Sequence, residues 1–275
     1  MDYGIDERVA LVSGGSRGIG YAIATALLGE GAHVAVASRT QSDLGAAAER
    51  LNAVAPGRVH AISADMTDPA SVQNAVSEAR ERFGPISIAV SNVIGHVIDA
   101  QKEGTGPGAG TFATIPPDDY RAEFKQLFVS AWALAAACLP DMRAQRWGRI
   151  CNIGSMVARE PATHLPHVLP NVVRPAVAGF HRMMADREAE HGITVNNILT
   201  GAILTERNRS YWRWLAAERG QTVGDVISAV DRAIPAGRQG EPVEMAALVS
   251  FLCSERARFI TGQSIPVNGG DSRHI

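Results

Sequence analysis

Short runs of consecutive apolar residues alternate with longer amphipathic stretches along most of the chain. Runs of strand length fall at 8–13 (RVALVS), 33–38 (HVAVAS), 58–63 (RVHAIS), 86–91 (ISIAVS), 148–154 (GRICNIG), 193–198 (ITVNNI) and 264–267 (SIPV). Helical spacing fits 18–30, 41–54, 69–83, 118–145, 171–191 and 242–254. Strand and helix in regular succession predict crossover units. The expected fold is α/β, a doubly wound parallel sheet with helices on both faces. No fixed-period repeat or heptad is visible.

Two segments break this rhythm. Residues 95–119 are rich in Gly and Pro and predict a long loop insertion. Residues 202–235 carry Tyr211, Trp212 and Trp214 and predict a lid over a substrate. Both follow strands whose carboxyl ends are the ligand-binding edge of an open α/β sheet.

At 275 residues the chain suits a single domain, 1–275. A net charge of -2 argues against nucleic-acid or anionic-membrane partners. The longest run of small apolar residues, around 131–139, is too short to cross a bilayer. The N-terminus lacks the basic start and apolar core of a signal peptide. Cys138, Cys151 and Cys253 are odd in number and show no CxxC pairing. They predict a reducing, cytoplasmic setting, and no metal-ligand spacing is present.

The first strand runs into Ser13-Gly14-Gly15-Ser16-Arg17-Gly18-Ile19-Gly20 and then directly into a helical pattern. Glycines at 14, 18 and 20 permit a tight turn and close approach of a pyrophosphate. The helix start offers it free N–H groups and a positive dipole end. This predicts a Rossmann-like, dinucleotide-binding domain.

The GxxxGxG spacing resembles the short-chain dehydrogenase/reductase family, and the resemblance extends over about 7–270. It implies that Asp65, with Met66, contacts the adenine. Ser91-Asn92-Val93-Ile94 stands at the family's Asn-Asn-Ala-Gly turn. Gly148–Ser155 matches the strand that ends in the catalytic serine. Thr200-Gly201-Ala202-Ile203-Leu204-Thr205 matches the segment holding the nicotinamide, with Thr200 in place of proline. The resemblance also implies a homodimer or homotetramer acting on a small molecule.

The second strand ends in Ser38-Arg39, with no carboxylate to bond a ribose 2′-hydroxyl. Arg39, joined by Arg17 from the glycine turn, suits a 2′-phosphate. NADP(H) is expected ahead of NAD(H).

The family's catalytic set is a serine, a tyrosine, a lysine four residues later and an upstream asparagine. Ser155 matches the serine. Arg174 stands at the lysine and Pro170 at the tyrosine; counting from Ser155 instead places Val168 there. Leu127 stands at the asparagine. The inventory agrees, with no tyrosine from 121 to 210 and no lysine after Lys125. Arg174 can bind ribose hydroxyls but cannot exchange a proton near neutral pH. With four prolines in 161–175, the usual start of the following helix is expected to be reshaped, Pro170 at its first position and Pro175 inside. Replacement acids are sought in His164 and His167, whose imidazoles titrate near neutrality. His96, Tyr211 and Trp212 are expected to meet substrate, a small apolar or aromatic carbonyl, imine or activated alkene. Two other readings stay open: a non-redox cyclase, dehydratase or isomerase on this scaffold, and a dinucleotide-binding protein that has lost catalysis.

Overall fold

The computed structural model describes residues 2–95, 112–161 and 168–272. Seven strands form one sheet: β1 (Val9–Ser13), β2 (His33–Ser38), β3 (Val59–Ser63), β4 (Ile86–Ser91), β5 (Gly148–Ile153), β6 (Ile193–Thr200) and β7 (Ser264–Val267). Every pairing is parallel, in the order β3-β2-β1-β4-β5-β6-β7. The chain winds outward from β1 to β3, returns to β4 beside β1, and winds outward the other way. That reversal opens a crevice beyond the carboxyl ends of β1 and β4.

The strands read as unbroken apolar runs because both faces of the sheet are covered. Ala10 and Val12 of β1 pack with Val34, Val36 and Val90 under α1 (Gly18–Gly29), α2 (Gln41–Val54) and α9 (Pro242–Leu252), which contribute Ile23, Leu27, Leu51 and Val249. Val9 and Leu11 point the other way. They join Ala35, Ile86 and Val195 under α3 (Pro69–Phe83), α5 (Ser130–Gln145) and α6 (Val168–Glu188), through Val76, Leu134 and Ala185. Each such Val, Leu or Ile contributes roughly 1.5–3 kcal/mol by burial.

Local signals place several helix ends where the sequence predicts them. Asp68 caps α3, its Oδ1 accepting from Ala70 N at 3.1 Å, and Pro69 takes the first helical position. Three expectations need correction. The helix expected at 118–145 is α4 (Pro117–Phe124), a π-helical turn at Lys125–Val129, and α5, joined without a break in right-handed backbone. At 29 residues, Pro117–Gln145 is long and apolar enough to cross a bilayer, which the 131–139 run alone is not. Half of its most apolar window is buried, with Leu134, Cys138 and Met142 on the sheet.

Second, α6 starts at Val168, so Pro170 is its third residue rather than its first, and a 3₁₀ turn at Ala189–His191 follows it. Pro175 does sit inside and costs one backbone bond. Leu169, Val173, Val177, His181 and Ala185 recur every fourth residue on the buried face, and that burial carries the helix through.

Third, the irregular segment expected at 202–235 is largely a helical hairpin, α7 (Glu206–Arg219) and α8 (Val223–Ala233). Thr205 Oγ1 caps α7 by accepting from Asn208 N at 3.2 Å. Thr222 and Asp225 form a reciprocal capping box on α8. Of the loop expected at 95–119, 96–111 lie outside the described residues, and 117–119 are already the first turn of α4.

Candidate functional site

The carboxyl ends of β1, β4, β5 and β6 meet at the crevice, and the glycine turn forms its floor. Gly14 leaves β1 with φ +61, a left-handed backbone that favours glycine, and its N–H bonds Ala37 O at 2.8 Å. A Cβ on Gly14 would stand 2.3 Å from Asn92 O; one on Gly20 would stand 2.2 Å from Gly14 O. Asn92 locks the turn from the other side, Nδ2 donating to Gly14 O at 3.1 Å. Its own N–H bonds Ser13 Oγ at 2.9 Å.

Arg17 precedes α1 in extended backbone and gives it no side-chain cap. The first amides of α1, from Gly18 and Ile19, therefore stay open to an anion. A backbone pinched by missing Cβ atoms and an uncapped helix start together fit a pyrophosphate. Ser16 Oγ donates to Ser38 Oγ at 3.4 Å, tying the turn to the end of β2. Arg39 follows and is exposed, as is Arg17.

Asp65 organises the exit of β3. Its Oδ1 accepts from Thr67 N and Thr67 Oγ1, both at 2.9 Å, and its N–H bonds Ser71 Oγ at 3.0 Å. The bond from the Thr67 backbone, with Arg39 and Lys125 nearby, holds this carboxyl below its usual range. Met66 beside it is buried.

Ser155 stands two residues beyond β5, half-buried and extended, and opens a short 3₁₀ turn without spending its hydroxyl on capping. Arg174 of α6 reaches back to the same strand, Nη1 donating to Ile153 O at 3.0 Å. Its Nε is buried without a partner. Burial pushes this guanidinium down to about 10, opposed by Glu123 and assisted by Arg207. Pro170 lies one turn away on the same helix. Leu127, in the π-helical turn, is buried in a small cluster with Ala131, Val173 and Val177.

Across the crevice, Gly201 N bonds Val267 O at 3.0 Å, and Ile203 is buried and bridges to Gly240. Thr205 Cγ2 lies 3.5 Å from where a Cβ on Gly18 would be, so the residue that caps α7 touches the glycine turn. In α7, the Tyr211 ring packs at a tilt against Trp212 and Trp214, with centroids 5.0 and 5.5 Å away. The indole N–H of Trp212 bonds Gln239 Oε1 at 3.0 Å, so this ring also ties α7 to the segment before α9. His96, His164 and His167 lie outside the described residues.

Sequence reading missed one group. Glu123 of α4 is fully buried, and its carboxylate acts on both Arg174 and Arg207. It also packs on Gly95, where a Cβ would come within 2.2 Å of Oε1. The signal was available. Glu123, Leu127 and Ala131 are spaced by four, so a charge occupies a core position of the helix. Arg207, which also feels Arg17, completes a cluster of three guanidiniums and one carboxylate around the crevice.

A glycine-turn cradle at the switch point of a parallel sheet, with a serine at the end of β5, defines a nucleotide-dependent oxidoreductase class. The chain belongs to the short-chain dehydrogenase/reductase family: residues 14–272 match the family described as Enoyl-(Acyl carrier protein) reductase. It is 32% identical to 2,3-dihydroxy-2,3-dihydro-p-cumate dehydrogenase of Pseudomonas putida over 98% of this chain and 95% of that protein. L-sorbose reductase from Gluconobacter frateurii, solved with NADPH and L-sorbose, superposes with a TM-score of 0.91, 30% identity and full coverage of both chains. A short-chain oxidoreductase from Pseudomonas aeruginosa PAO1, described as containing an atypical catalytic center, gives 0.86 and 31% over 99% of this chain and 100% of the other.

Proposed function

We propose that this protein is an NADPH-dependent reductase or dehydrogenase for a small apolar or aromatic carbonyl, imine or activated alkene, with a proton donor other than tyrosine. The observation that carries the reading is the exit of β2, where the strand ends in Ser38 and Arg39 rather than in a carboxylate, and where Ser16, next to Arg17, bonds Ser38. L-sorbose reductase, so similar in fold, binds NADPH, which supports the choice. The open amides of α1 with Gly14, Ser16, Gly18, Ile19 and Gly20 hold the pyrophosphate. Asp65, Met66 and Asn92 line the adenosine side, and Gly201, Ile203 and Thr205 the nicotinamide side. When bound, NADPH supplies a hydride.

Arg174 offers ribose hydroxyls a fixed cation, held by Ile153 O. The Ser155 hydroxyl orients the reacting oxygen. Glu123, buried beside Arg174 and Arg207, balances their charge. The proton comes from solvent or from His164 or His167, and substrates needing only weak acid assistance suit the site best. Tyr211, Trp212 and His96 contact the substrate.

We further propose a cytoplasmic homodimer or homotetramer. Phe124 and Trp132 of the α4–α5 helix, with Val172 and Met183 of α6, remain exposed as a partner would need. Cys151 and Cys253 stay as thiols 3.9 Å apart, as a reducing compartment allows.

A panel of ketones, cyclic imines and enones tests the chemistry, with NADPH absorbance followed beside product formation. Oxidation of NADPH that falls at least 100-fold in Ser155→Ala is expected. Product formed without NADPH oxidation would replace this reading with the non-redox one.

A further inference from the structure

A cavity of about 440 Å³ lies between the two lid helices, lined by Leu204, Glu206, Arg209, Arg213, Val223 and Ile227. That volume suits a small organic molecule. Glu206, Arg209 and Arg213 share one face of α7 by their spacing, and Val223 and Ile227 share one face of α8. Leu204, Val223 and Ile227 give the cavity an apolar floor.

The charges above that floor do not cancel. Arg213 Nη2 bonds Glu206 Oε1, and Ser210 Oγ at 3.2 Å. Arg209, one turn before Arg213, has no side-chain hydrogen bond or ion pair among the described residues. Two guanidiniums at this spacing repel each other. Asp225, near the start of α8, does not line the cavity and accepts at Oδ2 from Thr222 N at 3.2 Å and Thr222 Oγ1 at 2.7 Å, so the lining itself holds two guanidiniums and one carboxylate. One net positive charge is left over an apolar surface. The cavity also adjoins the cofactor cradle, because Leu204 and Glu206 flank Thr205, which meets Gly18.

We infer that this cavity is a binding site for a small organic carboxylate, its apolar body on Leu204, Val223 and Ile227 and its carboxylate paired with Arg209. A guanidinium fork matches a carboxylate in two parallel hydrogen bonds, so the acid gains over any neutral isostere. That this ligand is the substrate rests on the proposed reductase function; its binding does not.

The test uses calorimetry on the full chain with 4-propylbenzoate and 4-propylbenzamide as probes. The acid is expected to bind saturably and about tenfold more tightly than the amide. Arg209→Gln abolishes that preference, whereas Arg213→Gln, already paired with Glu206, keeps most of it. Equal binding of acid and amide, no saturable binding of the acid, or an unchanged preference in Arg209→Gln would overturn the inference. A parallel NADPH titration keeps the two ideas apart. Failure to bind NADPH removes the proposed function and leaves the acid preference standing, and loss of the preference with NADPH bound does the reverse.

Discussion

The two halves of the crevice are built from different materials. On the β1–β3 side the site is backbone: glycines that leave room, amides that stay open, and hydrogen bonds donated by Asn92 to Ser13 Oγ and Gly14 O that fix the turn. On the α4–α6 side it is side chain, and there the proposed reading sets Leu127, Pro170 or Val168, and Arg174 where the family's asparagine, tyrosine and lysine are expected. Backbone geometry is defined by the absence of atoms, so almost any substitution destroys it. A side-chain constellation can be exchanged piecemeal while the helices under it keep packing, as Val173 and Val177 do on either side of Arg174. On the proposed reading, cofactor binding and catalysis are separable in this fold.

The largest expected effect lies in the backbone half. Gly20→Val drives atoms onto Gly14 O and is expected to weaken NADPH binding by more than 100-fold, measured by nicotinamide fluorescence. Retention of affinity within threefold would mean that the turn does not hold the pyrophosphate.

In the side-chain half, the buried charges set the scale. Glu123→Gln leaves the buried Arg174 without its counter-ion and is expected to cost about 3 kcal/mol in urea unfolding. Glu123→Asp should cost less. Equal stability of wild type and Glu123→Gln would show that the cluster is not coupled.

His181 gives this half a pH signature. It is fully buried on α6, Nδ1 facing Val177 O at 3.0 Å, and burial pushes its pKa down to about 4. Between pH 6.5 and about 4 the unfolded chain binds a proton that the folded chain refuses. Stability therefore falls as pH drops through that window, by roughly 3 kcal/mol in all, and the contribution levels off below it. His181→Gln should flatten that part of the curve in urea melts at stepped pH; an identical slope would contradict it.

The smallest effect concerns the lid. Trp212→Phe removes one bond to Gln239 and should cost about 1 kcal/mol. Faster amide exchange over α7 than over β5 would accompany it. No change in exchange would mean that packing of Tyr211 and Trp214 alone holds the hairpin.

Much of the fold was legible because sheet burial writes itself into sequence as apolar runs, and all seven strands fall within two residues of their predicted limits. The glycine turn was legible for the same reason, since its meaning lies in residue type and spacing. The lid was misjudged where tertiary burial is slight. Of α7 only Ala216 is buried, so it carries no strong apolar stripe; α8 does carry one, Val223, Val226, Ile227 and Val230, which the sequence reading passed over although only Val226 is buried. The start of α6 was missed because Pro170 and Pro175 argue for a break that the buried four-residue ladder overrides. The core position of Glu123 was readable from its spacing, but its partners, Arg174 and Arg207, lie 51 and 84 residues away and only the fold brings them together.

The proposed cofactor half is tested most directly by titrating wild type and Arg39→Asp with NADPH and NADH, following nicotinamide fluorescence. Wild type should bind both saturably and prefer NADPH by about tenfold or more, as one charge-assisted phosphate contact warrants. Arg39→Asp should lose NADPH affinity while keeping or gaining NADH. Binding of neither nucleotide, or equal weakening of both by Arg39→Asp, would contradict the account.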